Sequence, residues 1–125
     1  MIKLFAAIGA LILLVGSWIH SDALAQARMS IAVMDDGFFR DAMPAMWVMP
    51  SIHWIFIACL AFGLSFYKSR AGSVILIAFG VWLLVDAALV YRYVGAFMGV
   101  FMLGAAGLFI LTSGLMLRRS MQNDA

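Results

Sequence analysis

The run Ser73–Tyr91 constrains this chain more than any other stretch, because it is apolar apart from one charged group, Asp86. As a helix it would rise by about 28 Å at about 1.5 Å per residue, close to the thickness of a bilayer's hydrocarbon core. A carboxylate inside such a run must face other protein or water and needs a partner. Asp86 therefore marks the inner side of whatever assembly forms.

The rest of the sequence agrees. Of 125 residues, 66% are hydrophobic and 11% charged, against about 45–50% and about 25% in soluble domains. One water-soluble core cannot hide this excess, so the lipid bilayer is the expected surrounding and residues 1–125 form one membrane domain. The net charge of +2 does not indicate nucleic acid, because the basic residues sit at the ends of apolar runs, where orientation signals lie. Cys59 is the single cysteine, so no intramolecular disulfide forms, and an inert buried thiol is the expected reading.

Four spans are expected at residues 2–19, 47–67, 71–91 and 95–117, with residues 20–46 forming an outer-face segment. The fold class is an all-α integral membrane protein of four transmembrane helices, with an extracytoplasmic amphipathic helix between spans one and two. Leu24, Ala27, Ile31, Met34 and Phe38 recur at helical spacing there. Ser21 or Asp22 is placed to cap that helix, and Asp35-Asp36-Gly37 reads as its stop. Three spans result instead if Lys3, the apolar stretch Leu4–Trp18 and Ala23-Leu-Ala25 act as a cleaved signal. Pro50 is expected in the first turn of span two, where a missing N–H is tolerated. Arg92-Tyr-Val94 is expected to be a short link making spans three and four antiparallel neighbours.

Lys3, Lys68, Arg70, Arg118 and Arg119 fall on one side of these spans, and Arg28, Arg40 and Arg92 on the other. The basic excess predicts that both termini are cytoplasmic, in a multi-pass protein of a bacterial inner membrane. Trp18, Trp47, Tyr91 and Tyr93 form an outer aromatic belt, with Tyr67 at the inner edge.

Few groups are able to carry chemistry. Asp86 lies six residues before Arg92 and His53 six after Trp47, so both sit roughly 9 Å inside the outer boundary on antiparallel helices. Equal depth permits a polar pair, with Trp82 one turn before Asp86 as another donor. Such a pair either relays protons or fixes helix register. Met43, Met46 and Met49 follow an M-x-x-M-x-x-M spacing with His53 four residues on, thioether and imidazole ligands that suit Cu(I). Pro44 and Pro50 are expected to break the helical face that would bring the sulfurs together. Copper is thus the one metal the sequence admits, and no other cofactor is expected. Gly95 and Gly99 form a G-x-x-x-G, while Gly107 and Gly114 repeat at seven, as do Gly9 and Gly16. Small residues so spaced let helices approach closely in lipid.

Four short spans in a chain of this length resemble the small multidrug resistance exporters. That family's defining glutamate in the first span has no counterpart, since the chain contains no Glu. Asp86 does not match it position for position, and the long outer segment departs from that family's short loops, so the family's function is not carried over.

No nucleophile–base pair, phosphate loop or paired carboxylates lie in any span, which argues against an enzyme. The leading expectation is a non-enzymatic structural or accessory subunit that joins other membrane subunits or itself. The alternatives are a small proton-coupled carrier using Asp86 and His53, and an outer-face copper-handling protein using the Met-rich segment.

Overall fold

A computed structural model describes residues 1–34 and 37–123 of the chain. The expected stop at Asp35-Asp36 lies outside the described residues. Within them the ordered elements are five helices, α1 (Ile2–Asp22), α2 (Leu24–Ile31), α3 (Phe38–Leu64), α4 (Arg70–Val94) and α5 (Met98–Asn123). Four helical segments are long and apolar enough to cross a membrane, α1 and α2 counting together as Ile2–Ile31.

The outer segment contributes a short helix, α2, that continues almost directly from α1. No side chain caps α2, and only Ala23, itself in a right-handed helical conformation, parts it from α1. Neither Pro nor Gly stands between Ile19 and Ile31, so nothing stops the helix from propagating. The combined run of 30 residues rises by about 45 Å, well beyond the hydrocarbon thickness. α2 packs against α3, so the segment extends the α1–α3 pair. Leu24 and Ala27 are half-buried and Ile31 is buried, while Met34 and Phe38 are exposed. The stripe read from the sequence thus turns inward for three of its five residues.

α3 begins well before Trp47, and Pro44 and Pro50 both lie inside it. Pro50 is therefore not in a first turn. Having no N–H, it leaves the Met46 carbonyl without a helical donor, and the helix persists because α1 and α2 pack along it. At the other end Ser69 caps α4, its Oγ accepting the Gly72 N–H at 2.9 Å. α4 runs on through Arg92-Tyr-Val94, the stretch expected to be a link. Its terminating residue is Gly95, at φ 97°, a left-handed conformation that glycine adopts without strain.

The helices pack in the order α3, α1, α5, α4, with α1 and α5 central. Gly9 of α1 faces Ala106 and Ile110 of α5, and Gly16 faces Met102, so these two helices run antiparallel. Ser113 of α5 donates to the Ile2 carbonyl at 3.1 Å, tying the start of α1 near the end of α5. Lys3 sits over the Phe66 ring at 4.7 Å, which brings that same end to the α3–α4 turn. Lys3, Lys68, Arg70, Arg118 and Arg119 therefore gather at one end of the bundle.

α4 and α5 make the closest approach. A Cβ on Gly80 would stand 2.6 Å from the Leu111 backbone. One on Gly114 would stand 2.8 Å from the Ile77 nitrogen, and one on Gly107 3.1 Å from the Gly80 carbonyl oxygen. Leu76, Leu83, Ala106, Ile110 and Leu117 are buried in the core cluster that α4 and α5 share with α1 and α3. Gly95 and Gly99 belong to no such seam within the chain among the described residues. Gly95 caps α4 outside any helix, and Gly99 meets the Phe97 ring of its own connection.

Candidate functional site

α3 and α4 are the outer members of the four long helices and touch each other less than any other neighbouring pair of them. Their facing flanks hold the polar groups of interest. On α4, the buried residues are Gly72, Ser73, Leu76, Gly80, Leu83 and Ala87. Asp86, next to Ala87, falls at the edge of this buried face and is half-buried. Trp82 lies one turn earlier and is 64% exposed, and its indole N–H donates to Asp86 Oδ2 at 2.9 Å. Leu89 continues the same stripe and is exposed as well.

On α3, the face toward α1 carries Ser51, Ala58 and Ala61, all buried. His53 is exposed on the flank next to it. It lies near enough to act electrostatically on the Asp86 carboxylate, yet no hydrogen bond joins the two among the described residues. The site is thus a carboxylate held by an indole on one helix, with an imidazole across from it. It opens away from the packed core.

The methionine stripe has a different geometry from the one expected. Because α3 remains helical through both prolines, Met43, Met46, Met49 and His53 do share one side of it. Met46 and Met49 are exposed and Met43 is half-buried. Successive sulfur-bearing positions climb the helix by about 4.5 Å each, so the stripe is a ladder rather than a cluster. Among the described residues no three His, Cys, Asp or Glu side chains come together as a metal site.

A second polar cluster, not singled out in the sequence, joins the far end of α1 to α3. His20 Nε2 lies 2.9 Å from the Trp47 carbonyl. A carbonyl only accepts, so Nε2 carries the proton and donates. Trp47 Nε1 donates in return to the His20 carbonyl at 3.0 Å. The two rings stack 4.8 Å apart and 6° from parallel, with Trp54 tilted against His20 at 5.3 Å. One turn earlier in α1, buried Ser17 donates to the Ser51 carbonyl at 2.9 Å. The Ser51 hydroxyl is itself buried and has no partner among the described residues. Trp47 is therefore half-buried against α1, whereas Trp18, Tyr91, Tyr93 and Tyr67 are exposed.

A cleft of about 460 Å³ lies between α2 and α3, lined by Arg28, Ile31, Ala32, Arg40, Asp41 and Pro44. It is separate from the Asp86 flank and closer to the α2–α3 connection. Compared with known families, curated proteins and solved structures, the chain matches none.

Proposed function

We propose that this chain is a non-enzymatic subunit of an integral membrane assembly, joining a partner through the facing flanks of α3 and α4. The observation that carries this reading is the exposure of Trp82, His53 and half of Asp86 on spans otherwise clad in apolar side chains. Ionisable groups within a membrane face a bundle interior or water, because their desolvation in hydrocarbon costs several kcal/mol or more. The four-helix unit leaves these three groups open, so another protein surface covers them. The close α4–α5 seam supports the same view, since it gives a rigid unit that docks as one body.

In this reading the Lys3, Lys68, Arg70, Arg118 and Arg119 end is cytoplasmic, as the excess of basic residues directs. Both termini then lie inside, α2 and the start of α3 project outside, and a bacterial inner membrane is the fitting location. Extraction in mild detergent followed by native mass measurement tests the proposal. A particle larger than one chain is expected, and a lone monomer with no partner overturns it.

A small proton-coupled carrier is the second reading, favoured by the electrostatic proximity of His53 to Asp86. It requires proton-coupled flux in vesicles that Asp86→Asn abolishes while leaving the helices intact. No flux from the wild-type chain ends it.

A further inference from the structure

We infer that the partner covering the α3–α4 flank is a second copy of this chain, related by a two-fold axis along the membrane normal. In that dimer, Asp86 of each copy meets His53 of the other. The inference rests on the assembly reading above and names the occupant of that surface.

Away from their ends, α3 and α4 carry one acid, Asp86, and one imidazole base, His53. A two-fold axis along the normal relates only points at the same height. Two unlike groups meet twice across such an interface only if they share a depth. Asp86 and His53 do: Gly16 of α1 faces both Trp54 of α3 and Met102 of α5, and Gly104 of α5 faces Ala87 of α4, so the neighbours His53 and Asp86 stand at one level of the bundle.

Each group also has capacity to spare. Asp86 accepts one hydrogen bond, from Trp82, and a carboxylate takes several. His53 makes none among the described residues. An unrelated helix bringing its own cation would satisfy Asp86 and leave His53 exposed to lipid. A second copy satisfies both at once, twice over, with Trp82 and Leu89 supplying apolar cover on either side.

Co-expression of two full-length chains of distinguishable mass tests this, one carrying Asp86→Asn and the other His53→Gln. Extracted in mild detergent, each variant alone loses both cross-pairs. Its dimer is expected to be roughly fivefold to tenfold weaker than wild type, the loss expected of two polar contacts of ordinary membrane strength. The mixed dimer keeps one intact pair, Asp86 of the second chain with His53 of the first, and is expected to exceed its statistical share. A pair closed within one chain gains nothing on mixing, so a purely statistical mixture overturns the inference, as does wild-type-like dimerisation of either variant alone.

The swapped chain, Asp86→His with His53→Asp, covers the case in which single variants fold poorly. It is expected to dimerise like wild type, and a monomeric swap with native helix content overturns the pairing. Recovery of single copies bound to a different membrane protein overturns self-pairing but leaves the assembly reading intact. A lone monomer overturns both.

Discussion

His20 and Trp47 exchange two hydrogen bonds, imidazole to the Trp47 carbonyl at 2.9 Å and indole to the His20 carbonyl at 3.0 Å. Each residue is thus donor and acceptor for the other, and the rings lie stacked between the two helices. The Trp47 carbonyl is next to that of Met46, which Pro50 deprives of its helical donor. The clasp therefore brings a donor from α1 to the turn where α3 is weakest.

Trp47→Phe keeps the stacked ring and removes the indole donor. It is expected to lower stability by about 0.5–1.5 kcal/mol, the usual worth of one such bond. His20→Ala leaves the His20 carbonyl in place to accept the indole N–H, but removes both the stacked ring and the imidazole donor to the Trp47 carbonyl, so it is expected to cost more, about 1–3 kcal/mol. Unfolding of both variants in one detergent, followed by circular dichroism, gives the order.

Gly80 and Gly63 separate close packing from helix propensity. A methyl on Gly80 would meet Leu111 backbone at 2.6 Å, whereas one on Gly63 meets nothing within 4 Å. Gly80→Ala is expected to destabilise by about 1–3 kcal/mol through forced separation of α4 and α5. Gly63→Ala is expected to be neutral or to stabilise by up to about 1 kcal/mol. Equal effects in a thermal melt would refute the α4–α5 seam.

Ser17 and Ser51 face each other but differ in what they satisfy. Ser17 donates to the Ser51 carbonyl, whereas the Ser51 hydroxyl is buried without a partner. Ser17→Ala is expected to cost about 0.6 kcal/mol, the mean for such contacts in membranes. Ser51→Ala removes an unsatisfied hydroxyl and is expected to be neutral or stabilising, because no bond is lost with it. Paired unfolding curves check the sign of each.

The apolar runs revealed four long helices because length and hydropathy are local properties of the chain. The Trp82–Asp86 spacing was legible for the same reason: one helical turn sets it. The seam at Gly80 was not, since its partner Leu111 lies in another helix and no spacing within α4 signals it. His20 and Trp47 escaped similarly, being 27 residues apart and brought together only by the packing of α1 on α3. Pro44 and Pro50 suggested a boundary because proline costs about 3 kcal/mol inside a helix. Packing against α1 and α2 outweighs that local preference. Gly95 and Gly99 matched a packing motif by spacing alone, but Gly95 takes a left-handed conformation at the end of α4, so the two do not share one helical face.

The central claim is that the Asp86 flank is covered by protein in the membrane. A photoreactive benzophenone residue in place of Leu89, on that stripe but outside the Trp82–Asp86 bond, tests it most directly. Irradiated in native membranes, the chain is expected to form an adduct heavier by at least one whole polypeptide. Adducts with lipid alone would mean that the flank faces acyl chains, and the proposed assembly would be contradicted.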